Sequence, residues 1–409
     1  MIVYNSKIIF QIIYIYLFEN IKYYLNLTTS IEYYKNVITK IAELDLFFIK
    51  LIQWIILDLH ISDVESFVNN YCDNVPYTVN DLNLNELNKL TKYIDIDPYP
   101  INSGTIGIIF KGNYQGKKVI IKTKRKNVIL KLKQSLDLFK FIGLVMEFIP
   151  VLNSLNIDYV LKKNYKYLFN QIDYKQECEN INNFRNFFKD SEKVVIPETF
   201  NRFCNDEIIV MEFLDGYNIN TLMQKKEEIK IKQLLNFCAF FNESLFNLNL
   251  MHCDLHPGNI IFLNNDKIGI IDFGLVKKLS KKEADYILSY VCGVQQKNIN
   301  KMWNIVKNKL SVKINENKPI KNLQESAIKK LETIVYKDQL PSVNEFLTIN
   351  NELYLHNLKL KNDFSSLIIN MSPQIDLLKM LSRNNEKLLR LSFTKYKNQQ
   401  IKNIVENTK

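Results

Sequence analysis

Residues 251–259 of the chain read Met-His-Cys-Asp-Leu-His-Pro-Gly-Asn, and residues 270–274 read Ile-Ile-Asp-Phe-Gly. Asp254 stands five residues before Asn259, and Asp272 follows Asn259 by thirteen residues. Hard cations such as Mg²⁺ prefer oxygen ligands, so Asn259 and Asp272 are candidate metal ligands. The carboxylate of Asp254 is suited to orienting an attacking oxygen or accepting its proton. This combination is too specific to be a chance set of turn residues.

The spacing resembles that of protein kinases, whose catalytic loops place an Asp five residues before an Asn and are followed by Asp-Phe-Gly. ATP and Mg²⁺ are therefore the predicted cofactors. A zinc site built from His252, His256 and Asp254 is the alternative. Pro257 and Gly258 oppose the helix on which histidines four residues apart would share a face, so we interpret both histidines as a scaffold for the loop.

A glycine-containing loop lies upstream, where residues 102–109 read Asn-Ser-Gly-Thr-Ile-Gly-Ile-Ile. It resembles the G-x-G-x-x-G-x-V loop of kinases, with Asn in place of the first Gly. Backbone N–H groups can approach a phosphate where no Cβ intervenes, so Gly104, Thr105 and Gly107 are predicted to bind the nucleotide phosphates. Lys122 follows the loop by thirteen residues and is predicted to be the phosphate-binding strand lysine.

Two further stretches concern the adenine base. Residues 210–216 read Val-Met-Glu-Phe-Leu-Asp-Gly and resemble the hinge between kinase lobes. The backbone at Glu212 and Leu214 is predicted to meet the adenine edge, with Met211 as the gatekeeper. Ile120 departs from the pattern, because a small residue usually occupies its position, and we expect it to narrow or tilt the base pocket.

Hydrophobic spacing predicts an α+β fold with two lobes, as in protein kinases. Residues 1–95 are predicted to be helical, and β-rich runs at 106–110 and 118–122 around a Gly turn predict a hairpin. Further predicted elements are a helix over 173–189, strands over 194–197 and 207–213, and mostly helix from 221, apart from a strand–loop–strand stretch over 252–274.

The predicted domain division has four parts. They are an all-helical N-terminal extension (1–95), a β-rich N-lobe (96–213) with a helical insertion at about 127–170, a C-lobe (214–345) with the catalytic loop, and a helical C-terminal tail (346–409).

With these motifs in place, the chain resembles the UbiB (AarF) family of atypical kinases, whose members include the ADCK kinases linked to coenzyme Q biosynthesis. The resemblance runs from about residue 41 to about residue 280. Residues 47–54, Phe-Phe-Ile-Lys-Leu-Ile-Gln-Trp, are similar to the family's K-x-G-Q motif, with Ile52 in place of Gly. The resemblance implies that Lys50 and Gln53 belong to a helical extension that folds over the active site and regulates it.

Residues 171–180 resemble the family motif E-x-D-Y-x-x-E-x-x-N. This implies that Glu177 forms an ion pair with Lys122, 55 residues earlier, across a helical insertion typical of the family. Gln171 stands where the family has Glu and leaves the extension without its usual acidic partner.

A lysine in a partly desolvated cleft needs such a partner. We therefore expect Lys50 to pair with Asp173 or with a catalytic carboxylate, foremost Asp272.

The bulk composition is that of a globular protein, with 47% hydrophobic and 24% charged residues in 409. The net charge of +11 suits an anionic partner, either a nucleotide or an anionic membrane surface. An AT-biased genome that favours lysine is the alternative explanation. Because no long basic tract is interleaved with aromatics, no nucleic-acid partner is expected.

Six cysteines without a C-x-x-C pair predict a reducing, intracellular compartment. Residues 8–18 form an apolar run too short to span a bilayer, which takes about 20 residues. We expect it to form a buried core helix rather than a membrane-surface anchor. No organellar targeting pattern is recognisable, so cytoplasmic, peripheral-membrane and mitochondrial locations all stay open.

Three functions fit the motifs. The first is a UbiB-like kinase or ATPase that uses Mg-ATP and acts on, or responds to, a lipid or prenyl-phenol ligand. The second is a small-molecule kinase of the aminoglycoside or choline type, which the Lys50/Gln53 extension and the Asp173/Glu177 helix oppose. The third is a pseudokinase scaffold that binds nucleotide without turnover. Neither the phosphate acceptor nor the oligomeric state follows from the sequence.

Overall fold

The computed structural model describes residues 2–59, 67–68, 71, 74–147, 161, 165, 168–227, 229–295, 298–319, 328–329, 332 and 352–381. The chain divides into two compact units. Unit 1 comprises Met1–Cys178 with Thr199–Phe213, and unit 2 comprises Glu179–Glu198 with Leu214–Lys409. Helices and strands occur in both, so the fold class is α+β, as predicted. Much of the predicted insertion after residue 147, and the predicted tail after residue 381, lie outside the described residues.

Unit 1 begins with three helices, α1 (Ile2–Tyr24), α2 (Ser30–Leu44) and α3 (Phe48–Leu59). Helix α2 starts with a capping box, in which Thr29 and Glu32 exchange side-chain and backbone hydrogen bonds. Two more helices follow, α4 (Leu84–Leu90) and α5 (Val128–Glu147). The apolar faces of α3 and α5 share one core cluster, in which the rings of Phe48 and Phe139 lie 5.1 Å apart.

Helix α1 corrects the expectation that residues 8–18 form a buried core helix. Ile8 is buried in the α3–α5 cluster, but Phe10 is 71% exposed and Tyr14 60% exposed. The reason is geometric: a helix that is apolar on all sides can bury only the stripe that faces its neighbours. Within the described ranges, none of the helices combines the length and apolar character that a membrane crossing requires.

Unit 1 also contains a five-stranded antiparallel sheet. Its strands are β1 (Asp95–Ile96), β2 (Asn102–Ser103), β3 (Gly107–Tyr114), β4 (Lys117–Lys124) and β6 (Ile208–Glu212). The order is β1-β3-β4-β6, and β2 also pairs with β3.

The predicted hairpin is confirmed as β3 and β4. They are joined at Gln115 and Gly116, both with positive φ, as a tight two-residue turn requires. Alternate residues, Ile108 and Phe110 on β3 and Val119 and Ile121 on β4, fill the core against α4.

Helix α6 (Tyr174–Phe188) contributes residues to both units, and its predicted extent is confirmed to within one residue at each end. A four-stranded sheet of unit 2 has the order β5-β10-β9-β7. Its strands are β5 (Val194–Val195), β7 (Gly216–Tyr217), β9 (Ile260–Leu263) and β10 (Ile268–Ile270). A separate antiparallel pair joins β8 (Leu250–His252) to β11 (Val276–Lys278).

Unit 2 also contains five α-helices whose bounds lie within its described residues. They are α7 (Ile219–Lys225), α8 (Ile231–Phe246), α9 (Lys281–Gln295), α10 (Ile299–Ile305) and α11 (Asn362–Leu381). A π-helical turn (Val306–Leu310) leads into the short pair β12 (Ser311–Lys313) and β13 (Leu358–Leu360). The core cluster of unit 2 draws on α8 to α11 and places Met251 of β8 against them.

Candidate active site

The candidate site residues of unit 1 include an ion pair between strand β4 and helix α6. The Nζ atom of Lys122 lies 2.8 Å from Oε1 and 3.0 Å from Oε2 of Glu177. The Lys122 side chain is 13% exposed and the Glu177 side chain is completely buried. Asp173 starts the helix, because its Oδ1 accepts the Gln176 N–H at 3.0 Å and its backbone carbonyl accepts the Glu177 N–H. The position at which the helix starts therefore determines where Glu177 lies along strand β4 relative to Lys122.

The glycine-containing loop connects β2 to β3. The Gly104 N–H donates to the Gly107 carbonyl at 2.9 Å and closes the loop. The Thr105 hydroxyl is buried, and among the residues that the structure describes it has no hydrogen-bond partner. A Cβ at Gly107 would meet the Tyr174 hydroxyl, so only glycine fits there. The same tyrosine ring lies 5.5 Å from Nζ of Lys122.

The segment predicted to be a hinge ends strand β6. Met211 is buried and pairs in register with Ile120, so the two large side chains share one stretch of the sheet. Glu212 is half-buried, and the next backbone N–H, that of Phe213, donates to the Lys118 carbonyl at 3.1 Å. Leu214, in unit 2, is 9% exposed. The predicted contacts of Glu212 and Leu214 with adenine stay predictions.

In unit 2 a buried histidine joins the two conspicuous motifs. The Asp254 N–H donates to Nδ1 of His252 at 3.3 Å, so the proton of the neutral ring is on Nε2. Nε2 then donates to the Asp272 carbonyl at 2.6 Å. Burial lowers the pKa of His252, which favours this neutral form. The imidazole thus links the backbone of one aspartate to that of the other.

Asn259 is held beside Asp254 in the same loop. Its Nδ2 donates to the Asp254 carbonyl at 2.7 Å, so the amide oxygen points away from that carbonyl. His256 accepts the Gly258 N–H at its Nδ1 at 3.2 Å and so stabilises the turn. Both histidines therefore hydrogen-bond to the backbone of the loop or of Asp272, which agrees with their interpretation as a scaffold.

Asp272 has a left-handed backbone with φ of +63°, which is uncommon for a residue with a side chain. Its Oδ1 accepts the Gly274 N–H at 3.1 Å. Phe273 is fully buried, and its ring lies 4.9 Å from that of Phe184 on α6. The Phe273 carbonyl accepts from Asn180 at 2.9 Å. Neighbouring packing thus holds the strained Asp272 in place.

Lys50 and Gln53 are half-buried on α3, and Asp173 is exposed at the start of α6. Each of the two α3 residues has at least one polar interaction. The predicted partner of Lys50, Asp173 or Asp272, stays a prediction.

Sequence reasoning missed three residues that touch these motifs. Arg125 is buried and donates to the Gly104 carbonyl. The Tyr174 hydroxyl occupies the space that a side chain at position 107 would need. Gln374 on α11 is buried and donates to the His252 carbonyl. Arg125 and Gln374 belong to no motif with a recognisable spacing, and the family motif that contains Tyr174 gives no hint of its contact with the loop.

Comparison with known proteins decides the family. The model of the ABC1 atypical kinase-like domain matches residues 79–306, which is more than half of the chain. The chain belongs to the ABC1 atypical kinase-like family. The UbiB (AarF) resemblance predicted from its motifs is thereby confirmed.

Two ABC1 relatives illustrate the range of similarity. A probable protein kinase UbiB of Blochmanniella pennsylvanica is 27% identical over 207 residues, which cover 48% of this chain and 38% of the relative. Protein ACTIVITY OF BC1 COMPLEX KINASE 3, chloroplastic, of Arabidopsis thaliana is 22% identical over 213 residues, which cover 50% of this chain and 30% of the relative. The chain thus matches less than two fifths of the length of either.

One solved structure, the Rv3197–erythromycin complex from Mycobacterium tuberculosis, aligns with a TM-score of 0.48 at 16% identity. The alignment covers 82% of this chain and 90% of that one.

Proposed function

We propose that this ABC1 protein binds Mg-ATP and catalyses phosphoryl transfer or ATP hydrolysis. The observation that carries the proposal is the buried ion pair of Lys122 and Glu177, with Nζ 2.8 and 3.0 Å from the two carboxylate oxygens. Burying two charges is costly, so a pair kept in this geometry next to a glycine-containing loop suits a lysine held for a phosphate.

The other residues fit the same ligand. The buried Thr105 hydroxyl, which lacks a partner among the described residues, offers a donor within the loop proposed to bind phosphate. Asn259 and Asp272 supply the oxygen ligands that Mg²⁺ prefers. Bound Mg²⁺ would neutralise charge that develops on the phosphates. Asp254 orients the attacking oxygen and accepts its proton.

The test of nucleotide binding is a thermal-shift titration with Mg-ATP. The wild type should gain stability with ligand concentration, as any ligand that binds only the folded state requires. Asp272→Asn removes the charged metal ligand and should lose the Mg²⁺-dependent part of the gain. Asp190→Asn, the same substitution at an aspartate whose side chain is 88% exposed, is the matched control. An Asp272→Asn variant that shifts like the wild type would refute the metal assignment.

A lipid or prenyl-phenol ligand is proposed either to accept the phosphoryl group or to activate ATP hydrolysis. The supporting observation is the exposed apolar and aromatic surface of α1, with Phe10 71% and Leu17 55% exposed, on a chain of net charge +11. Tyrosine-rich apolar faces suit the boundary between water and lipid, and the positive charge suits anionic headgroups.

The test is ATP hydrolysis by the purified chain with and without anionic liposomes and phenolic quinone-precursor analogues. Phe10→Glu combined with Leu17→Glu should abolish co-sedimentation with the liposomes. Tyr99→Glu, at an unrelated tyrosine that is 78% exposed, should leave co-sedimentation unchanged. Equal binding of both variants would contradict a membrane role for α1.

A further inference from the structure

Arg125 is a buried cation three residues beyond Lys122, just after strand β4. Its side chain is 1% exposed. The Nε atom donates to the Gly104 carbonyl at 2.9 Å, and one terminal nitrogen donates to Oγ of Ser103 at 2.8 Å. Its backbone N–H donates to the Ile106 carbonyl at 2.9 Å. Arg125 therefore bonds to the glycine-containing loop at three points.

The guanidinium also contacts the segment that precedes α4. The terminal nitrogen bonded to Ser103 also lies 3.1 Å from the Val75 carbonyl and 3.2 Å from the Pro76 carbonyl, which share its second N–H. The remaining nitrogen lies 3.5 Å from Oδ2 of Asp81, whose other oxygen accepts from Lys131 at 2.9 Å. Arg125 thus joins the loop to residues 75–81, and its buried charge is balanced by Asp81 and four acceptor oxygens.

The backbone of the loop is held by the Gly104–Gly107 hydrogen bond and by the short β2–β3 pairing, and the Arg125 guanidinium adds side-chain contacts to it. Gly104 and Gly107 carry no side chains, and β2 is only two residues long. A flexible loop would lose conformational entropy when it closes on a phosphate, whereas a fixed loop has already lost it. Only the planar, forked guanidinium can serve Gly104, Ser103 and Asp81 together, since a lysine presents a single nitrogen.

We propose that Arg125 is a positioning residue, which holds the backbone of residues 103–106 in the shape that the nucleotide phosphates require. The proposal rests on the proposed Mg-ATP binding, but the rigidity of the loop can be measured without nucleotide.

The first experiment compares Arg125→Lys, Ser103→Ala and the wild type by amide hydrogen exchange of the ligand-free chain. Exchange in the peptide that spans residues 103–107 should accelerate at least about tenfold in Arg125→Lys and by a smaller factor in Ser103→Ala. Arg202→Lys, at an exposed arginine of the same unit, should exchange like the wild type. Unchanged exchange of the loop in both test variants would overturn the proposal.

The second experiment measures the dissociation constant of Mg-ATP by calorimetry. It should rise at least about tenfold in Arg125→Lys and a few-fold in Ser103→Ala. Asp81→Asn weakens the contacts of residue 81 with Arg125, Lys131 and Thr78 but leaves the bonds of Arg125 to Gly104 and Ser103 in place, so it should change the constant less than Ser103→Ala does. The opposite order would make Arg125 an anchor of residues 75–81 and overturn the proposal.

Two outcomes separate this proposal from the proposed function. If the wild type does not bind Mg-ATP, the proposed function fails, and the exchange measurement alone decides whether Arg125 fixes the loop. If the wild type binds and both loop variants bind equally well, the proposed function stands and the role of Arg125 fails. Should Arg125→Lys not fold, Ser103→Ala removes a single contact and carries both measurements.

Discussion

The Nζ atom of Lys122 lies 2.8 and 3.0 Å from the two carboxylate oxygens of Glu177, so both oxygens share one ammonium group. The pair joins an inner strand of a sheet to the first turn of a helix within unit 1. Its geometry depends on the start of that helix, which Asp173 caps.

Glu177→Gln should therefore lower kcat/KM for ATP at least about tenfold, equal to ~1.4 kcal/mol of transition-state stabilisation. A neutral amide still accepts one hydrogen bond but no longer balances the buried lysine, which is costly to leave unpaired. Steady-state kinetics measures the effect. Glu179→Gln, at an exposed position two residues along the same helix, is the control and should behave like the wild type. Equal activity of the two variants would contradict the role given to the ion pair.

Asp254→Asn should remove turnover and leave Mg-ATP binding largely intact, because Asp254 is assigned to the attacking oxygen and not to the nucleotide. A loss of at least about a hundredfold in kcat is expected of a positioned general base. Single-turnover kinetics and calorimetry separate the two effects, with Asp190→Asn as the control. Wild-type hydrolysis in Asp254→Asn would show that Asp254 is not the base. If the wild type binds Mg-ATP without turnover, the chain is a nucleotide-binding scaffold.

Gly107→Ala should destabilise the protein by about 1–3 kcal/mol, because the new Cβ would occupy the position of the Tyr174 hydroxyl. Tyr174→Phe removes that hydroxyl, and the nearest remaining ring carbon, Cζ, would lie 3.7 Å from the Cβ, an ordinary contact. The Thr123 carbonyl remains 3.1 Å from the new Cβ and still crowds it, so the double variant should recover part of the loss. Urea denaturation of the four proteins in the cycle gives the coupling energy.

A matched control for this cycle is Gly269→Ala in β10, where the added Cβ meets Leu214 instead. It should show no coupling to Tyr174→Phe, because the tyrosine is not its neighbour. Additive effects of Gly107→Ala and Tyr174→Phe would refute the close approach at position 107.

Asp45→Asn should stabilise the chain at pH 7. Burial raises the pKa of the Asp45 carboxyl, although the Ser135 hydroxyl, 2.7 and 2.9 Å from its two oxygens, donates a hydrogen bond to it and opposes the rise. A raised folded pKa means that the folded state binds the proton more tightly, so stability falls as the pH rises through the unfolded and then the folded pKa. The buried negative charge of Asp45 thus destabilises the folded state most at neutral pH, and the amide that replaces it carries no such charge.

The expected gain at pH 7 is on the order of 1 kcal/mol, and it should shrink towards pH 4 as the wild-type carboxyl takes up its proton. Thermal unfolding at a series of pH values checks both the sign and the trend. A loss of stability at pH 7 would mean that the hydrogen bonds from Ser135 and the Phe47 N–H outweigh the burial of the charge.

Local sequence determined the elements whose signals lie close together in the chain. The hairpin of β3 and β4 follows from two β-rich runs around Gln115 and Gly116, because a tight turn needs residues that accept positive φ. Helix α6 follows from helical spacing, and the family follows from the spacing of Asp254, Asn259 and Asp272 together with the flanking motifs. The family match over residues 79–306 confirms that last inference.

Tertiary structure decided what depends on partners distant in the chain. Residues 8–18 look like a core segment by composition, yet most of α1 stays exposed because its neighbours cover a single stripe. Arg125 reads as one basic residue among 54 until the fold brings Val75, Gly104 and Asp81 around it. Which side chain balances a buried charge, as Asp81 does for Arg125, is set by packing between segments distant in the chain, and hydrophobic periodicity carries no information about that choice.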